Sequence, residues 1–170
     1  MNAGLYQRCA ATSRENMHTD IRVISDTHGL LRPEALDAMR GADLILHAGD
    51  VDDLAILDSL RAIAPVHVVR GNVDRGPWAE SIPYTEVVEI DGALIYMIHI
   101  RDQLDLDPKA AGFAAVIYGH SHQPEIERID DVLYLNPGSA GPRRFKLPVS
   151  CARLWIEDGR ADAEIIELRV

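Results

Sequence analysis

Short polar clusters close the apolar runs of this chain, and between them they offer aspartate, asparagine and histidine side chains. Asp26 and His28 follow Ile21-Arg22-Val23-Ile24-Ser25, and Asp50 follows Leu44-Ile45-Leu46-His47-Ala48-Gly49. Asn72 and Asp74 come after Val66-His67-Val68-Val69-Arg70-Gly71. His99 closes Leu94-Ile95-Tyr96-Met97-Ile98, and His120 with His122 closes Ala115-Val116-Ile117-Tyr118-Gly119. The set holds oxygen and imidazole ligands but no thiolate, which suits manganese, nickel, iron or zinc over a soft-metal site. If the runs are strands of one sheet core, their carboxyl ends bring these groups into one crevice, where open α/β sheets hold ligands. The chemistry of such a crevice is two-metal hydrolysis. Ions about 3.5–4 Å apart share a water, lower its pKa and present hydroxide at neutral pH.

The elements that must position these groups follow from pattern. From Ile21 onward, strand-like runs alternate with short helical stretches. Pro33 opens a helix expected over Pro33–Arg40, with Gly41 as its stop. A second helix is expected over Asp52–Ile63, where Leu54, Leu57, Leu60 and Ile63 recur and Asp52 and Asp53 favour the N-terminus. Val66–Val69 is β-branched and too short for a helix. Later, Thr85–Ile90 and Ala93–Ile98 flank Asp91-Gly92, a hairpin signal. A short helix is expected within Asp107–Phe113, then a buried strand over Ala114–Tyr118. Glu125–Ile129 and Val132–Leu135 flank Asp130-Asp131, and Val149–Ile156 and Ala161–Leu168 flank a four-residue loop, Glu157-Asp158-Gly159-Arg160. The expected organisation is a flexible tail over residues 1–20 and one α/β domain over 21–170. Met17 stands just before the first run, so translation from Met1 or from Met17 stays open.

Composition narrows the function classes. With 17 basic against 27 acidic residues, the net charge of −10 speaks against a bulk grip on nucleic acid. It still admits a small phosphorylated substrate, because bound metals dominate their local field. Cys9 and Cys151 form no Cys-x-x-Cys pair, which excludes zinc-finger and thioredoxin-like motifs and reads as free thiols in a reduced compartment. No run approaches a membrane span and residues 1–20 hold no apolar signal-peptide core, so a cytoplasmic location is the default expectation. Homo-oligomers are common among small enzymes, but nothing in the sequence locates an interface.

Taken singly, most clusters have plain structural readings. Asp-x-His and Gly-Asp occur as turn and helix caps, Gly-Asn as a turn, and a lone His99 as a hydrogen-bonded strand end. Gly119-His120-Ser121-His122 is harder to explain without a metal. In order, Asp-x-His, Gly-Asp, Gly-Asn-x-Asp, His and Gly-His-x-His resemble the calcineurin-like metallophosphoesterase superfamily, and most closely its small YfcE-type phosphodiesterase branch. Asn136-Pro137-Gly138-Ser139 with Pro142-Arg143 resembles that branch as well. The resemblance runs from about Ile21 to the C-terminus.

That resemblance implies a sandwich of two mixed β-sheets flanked by helices. It implies one divalent ion on Asp26, His28, Asp50 and His122, and a second on Asp50, Asn72, His99 and His120, with Asp50 shared. Manganese is expected first, with nickel, iron or zinc as alternatives. Asp50, Asn72 and Asp74 are the expected catalytic group, with Asp74 acting from behind the ligands. The substrate would be a small phosphodiester attacked by a metal-bridging hydroxide. Two departures stand out. Val73 replaces the histidine that larger members place after the motif asparagine, so no proton is offered to the leaving group there. The branch's His-Gly-His is here His99-Ile100-Arg101. Arg101 can replace the lost histidine as a phosphate contact, since guanidinium suits phosphate, or simply begin a loop.

Other polar residues read more plainly. His47 and His67 lie inside strands as packed or hydrogen-bonded residues, and His18 belongs to the tail. Arg143, Arg144 and Lys146 form a small basic patch, with Arg143 the candidate substrate contact and a solvated loop the plainer alternative. Two other functions share the fold: a protein-binding scaffold, like the retromer subunit that resembles this branch, and a phosphomonoesterase using the same centre.

Overall fold

The computed structural model describes residues 18–170. The expected tail falls mainly on residues 1–17, outside the described residues. The residues leading into the first strand are anchored. Thr19 donates to the Asp91 carboxylate through its amide and its hydroxyl, and Asp20 pairs with Arg22 and Arg153.

One mixed sheet has the order β10-β9-β1-β2-β3. It is built from β1 (Ile21–Ile24), β2 (Leu44–His47), β3 (Val66–Val68), β9 (Ser150–Glu157) and β10 (Arg160–Glu167). The other has the order β4-β5-β6-β8-β7, from β4 (Thr85–Ile90), β5 (Ala93–Ile98), β6 (Phe113–Ile117), β7 (Glu125–Ile129) and β8 (Val132–Asn136). β1, β2 and β3 run parallel, as do β5, β6 and β8, while the hairpin partners are antiparallel. The sheets face each other across a core that includes Ile21, Val23, Leu46, Ile95, Met97, Ile117, Leu135 and Leu154. Alternate residues Ile24 and Ile45 point the other way, against Ala35, Met39, Leu57 and Leu60. Strands covered on both faces need apolar residues in both registers, which is why these runs barely alternate.

Helices α1 (Pro33–Met39) and α2 (Leu54–Arg61) cover the first sheet. α2 starts later than expected because Asp53 is its N-cap, accepting from the Ala55 amide at 2.9 Å, while Asp52 turns aside with φ of 65°. A one-turn helix, α3 (Pro77–Glu80), was too short to leave a periodic signal. The second sheet's outer face carries Tyr96, Ile98, Val116, Tyr118 and Tyr134 and is packed by Leu104, Leu106 and Phe113 rather than by a helix. The helix expected within Asp107–Phe113 is a set of turns, closed by Ala111 amide to Asp107 carbonyl (2.9 Å) and ended by Gly112 at φ of 80°. The final hairpin is tighter than expected. Glu157 pairs with Arg160, and Asp158-Gly159 turn alone with φ of 51° and 76°, the left-handed pair a two-residue hairpin demands.

Candidate metal centre

Because β1–β3 of one sheet and β5–β6 of the other are parallel, their carboxyl ends converge at one edge of the sandwich. The loops after β1 and β2 keep pairing beyond the strands: the Asp26 amide donates to Gly49 carbonyl and the His28 amide to Asp50 carbonyl, each at 3.0 Å. The Gly119 amide donates to His99 carbonyl at 3.0 Å, which ties the loop after β6 to the end of β5. The glycines make this approach feasible. A Cβ on Gly71 would lie 2.0 Å from Asp50 Oδ1, and one on Gly119 would lie 2.1 Å from Ser25 Oγ. Any larger residue would push the ligand loops apart.

Asp26, Asp50, His28 and His99 are each oriented by hydrogen-bond partners, whereas His122 Nδ1 has none. Asp26 Oδ2 accepts from Ser25 Oγ (2.6 Å) and from the His120 amide (3.1 Å), while its buried Oδ1 has no hydrogen-bond partner. Asp50 Oδ1 accepts from the Val73 amide at 3.1 Å. Asp50 Oδ2 then lies 3.2 Å from His99 Nε2 and 3.8 Å from His28 Nε2. His99 Nδ1 donates to Ala48 carbonyl at 2.6 Å and His28 Nδ1 to Asp52 Oδ2 at 3.1 Å. Both bonds place a proton on Nδ1, so that Nε2 would be the lone-pair donor to a bound cation, the usual arrangement behind a metal-ligating histidine.

Two groups result. Asp26, His28 and His122 offer ligand atoms within 4.8 Å of one another, and so do Asp50, His99 and His120. His122 Nε2 is 3.4 Å from Asp26 Oδ1, and its ring stacks on His28 with centroids 5.0 Å apart. Asn72 joins the second group, its Oδ1 2.9 Å from His120 Nδ1. The donor set fits divalent ions. A buried Asp26 oxygen without a partner, the unpartnered His99 Nε2 and the Asn72 amide oxygen together form a cradle that a cation would satisfy.

The electrostatics agree. Burial pushes the Asp26 carboxyl above the usual carboxylate range, against the opposing pull of His99 and Ser25. Burial acts the same way on Asp50, but the hydrogen bond and charge of His99 prevail and hold it below that range. His99 is raised despite its burial, by Asp50 and Asp26. Burial, aided by the charges of His28 and Arg144, lowers His122 to about 4.

Asp74 stands behind the candidate ligands. Its carboxylate accepts the amides of Asp50 (3.1 Å), Val51 (2.7 Å), Asp52 (2.8 Å) and Gly71 (2.8 Å), so it pins the Asp50 loop to the Asn72 loop. Asn136 braces the last loop by donating to Gly119 carbonyl at 2.8 Å, and Ser139 donates to Asp26 carbonyl at 2.9 Å. Arg101 does not line the cleft. It pairs with Glu127 (2.8 Å) and Glu125 (3.5 Å) and lies over the Tyr134 ring. Arg143 reaches the Val170 carbonyl at 3.4 Å. The residue of the basic patch that lines the cleft is Arg144, beside Phe145, Leu147 and Val73, around a volume of about 360 Å³ that includes His28, Asp50, Asn72, His120 and His122. Sequence reasoning missed Asp52, whose place before a helix suggested only a terminus, and Phe145, which no pattern marks.

A two-sheet sandwich with two groups of nitrogen and oxygen donors at one edge has the architecture of a candidate metal-binding protein. The calcineurin-like phosphoesterase superfamily domain matches residues 20–159, and the chain belongs to that family. A probable metallophosphoesterase of Methanothermobacter thermautotrophicus is 40% identical over 158 residues, covering 86% of this chain and 91% of that protein. Among solved structures, an archaeal phosphodiesterase superposes with a TM-score of 0.72 at 25% identity, covering 86% of this chain and 99% of that one. Vacuolar protein sorting 29 from Cryptosporidium parvum superposes with a TM-score of 0.70 at 19% identity, covering 90% and 99%, a likeness of fold. Among the described residues, no helix is long and apolar enough to cross a membrane.

Proposed function

We propose that this metallophosphoesterase is a dinuclear phosphodiesterase of small phosphodiesters. Asp26, His28, Asp50 and His122 would hold one divalent ion, and Asp50, Asn72, His99 and His120 the other, with manganese first and nickel, iron or zinc as alternatives. The observation that carries this reading is Asp50 Oδ2, one oxygen within 3.2 Å of His99 Nε2 and 3.8 Å of His28 Nε2, at the junction of the two donor groups. Two divalent ions held there would supply an activated water and offset charge on the phosphate. The chain's own residues do the rest. Asp52 and the Ala48 carbonyl keep His28 and His99 in the donor tautomer, and Asp74 holds Asp50 against Asn72. Val73 offers the leaving group no proton, so esters with leaving groups of low pKa are favoured. The archaeal phosphodiesterase likeness supports diesters over monoesters.

The test is hydrolysis of bis-p-nitrophenyl phosphate by chelator-stripped protein after Mn²⁺ is restored, with p-nitrophenyl phosphate alongside. Turnover should return with manganese, favour the diester, and vanish in Asp50→Ala and Asn72→Ala proteins that keep their circular dichroism. Absence of turnover with manganese, nickel, iron and zinc, each at occupancy confirmed by elemental analysis, would sink the reading. A stoichiometric protein partner recovered alongside that result would favour the scaffold function.

A further inference from the structure

We infer that Arg144 and Phe145 form a substrate clamp over the metal centre, selecting phosphoesters that carry a flat aromatic or heterocyclic group. This rests on the phosphoesterase reading above and names the class of ester that the site prefers.

The cleft has two unlike walls. One is the ligand cluster; the other is Val73, Leu147 and Phe145, apolar side chains facing a polar centre. A phosphate needs only the first wall. The second suits the organic group esterified to it, and a phosphate bearing a small polar alcohol would leave that wall in water.

Among the described residues, Phe145 is the most exposed large hydrophobic, at 94%. Singly exposed apolar residues such as Val87 need no explanation. Phe145 differs by its position beside the ligands and by its backbone, held at φ of 52°. Left-handed φ is costly for an aromatic residue and persists where the surroundings over-determine it. Those surroundings are visible at the loop's root. Ser139 bridges to Val149, Arg32 Nε donates to Gly141 carbonyl at 2.9 Å, and the Leu147 amide donates to Arg144 carbonyl at 3.0 Å. Gly141 passes so near the Asp26–His28 loop that a Cβ there would lie 2.1 Å from Thr27 carbonyl oxygen. The ring is thus presented from a base fixed to the metal-binding loops.

Arg144 supplies the polar half of the clamp. Arg101 and Arg143 have partners elsewhere, whereas the Arg144 guanidinium has no hydrogen bond or ion pair among the described residues and borders the same cleft. A planar guanidinium at that place suits a phosphate oxygen that the ligand cluster leaves free. With the phosphate held by Arg144 and the centre, a flat substituent can stack on Phe145.

The test measures binding of phenyl phosphate and methyl phosphate to the full, Mn²⁺-loaded chain by calorimetry. These ligands share their charged group and differ in the ring. Phenyl phosphate should bind about three- to tenfold tighter, the range of an aromatic pair. Phe145→Ala should erase that preference at unchanged metal content, and Phe145→Tyr should keep it. Arg144→Gln should weaken both ligands alike. An undiminished preference in Phe145→Ala, no preference in the wild-type chain, or unchanged affinities in Arg144→Gln would each overturn the clamp. Turnover of bis-p-nitrophenyl phosphate is read separately. A Phe145-dependent preference without turnover under manganese, nickel, iron or zinc keeps the clamp and rejects the hydrolase reading, and turnover with an unchanged preference in Phe145→Ala does the reverse.

Discussion

Asp74→Asn separates bracing from chemistry. Asp74 is buried, and each of its oxygens accepts two backbone amides: Oδ1 from Val51 and Asp52, Oδ2 from Asp50 and Gly71. Asparagine keeps one oxygen and turns an NH₂ group toward two N–H donors. Two hydrogen bonds to a charged acceptor are lost, at about 1.5–3 kcal/mol each, so the expected cost is about 3–6 kcal/mol. Against a total stability of about 5–15 kcal/mol that is a large fraction. For a chain of this size it lowers Tm by roughly 10–20 °C. The assay is urea unfolding of the metal-free protein followed by circular dichroism, with Mn²⁺ affinity measured by calorimetry. Because the bonds hold Asp50 against the Asn72 loop, metal affinity should fall about 10–100-fold, and activity at saturating Mn²⁺ should largely recover. Wild-type stability and metal affinity combined with lost turnover would refute this reasoning and place Asp74 among the reacting groups.

Two further outcomes are expected. His47 is fully buried, with Nδ1 accepting the Gly49 amide at 3.2 Å and Nε2 donating to Thr27 Oγ1 at 3.1 Å, and burial lowers it from 6.5 to about 4. Its folded pKa lies below its unfolded one, so the stability it contributes is present above pH 6.5 and is lost as pH falls toward 4. Between pH 7 and pH 5 the loss is about 2 kcal/mol; urea titrations should show that slope in the wild-type protein and not in His47→Asn, and equal slopes would contradict it. Arg101→Ala should leave kcat/KM for bis-p-nitrophenyl phosphate within about twofold and cost about 0–1 kcal/mol of stability, since its carboxylate partners are solvent-exposed. A large fall in kcat/KM would return Arg101 to the substrate.

The strands were legible because β-branched runs ended by Gly, Asp or His say where a chain must stop pairing. Their neighbours were not. Nothing local in Ser150–Glu157 announces that it will lie beside Ile21–Ile24, since antiparallel partners are chosen by complementary faces over long separations. The Asp107–Phe113 turns misled for a related reason: Pro108 and the following alanine pair suit a helix, but Gly112 and the start of β6 leave room for only one turn. At the site, ligand types could be read from side-chain chemistry, whereas the groups that orient them could not. His28 is steered by Asp52, and His99 by a backbone carbonyl that carries no sequence signature. Arg101 drew notice by following His99 in sequence. Yet the segment from 101 to 103 turns as a 3₁₀ helix, and Glu125 and Glu127 take its charge.

The backbone adds an argument that the ligand list alone does not make. Asp26, His28, Asp50, His120 and His122 all have φ between 47° and 70°. Each non-glycine residue in that region costs about 1–3 kcal/mol, and the same loops bury a desolvated carboxylate with an unpartnered oxygen. A fold gains nothing from concentrating such costs in one place. They persist because Asp74, Asn136 and the paired loop amides hold the segments from outside. A cation among the donors would offset them from inside, by neutralising Asp26 and Asp50 and satisfying Asp26 Oδ1 and His99 Nε2. Ion binding should therefore stabilise the folded chain by mass action. The gain should be concentrated in the loops after β1, β2 and β6, where the strain lies, with the distant hairpin at Asp130-Asp131 little affected.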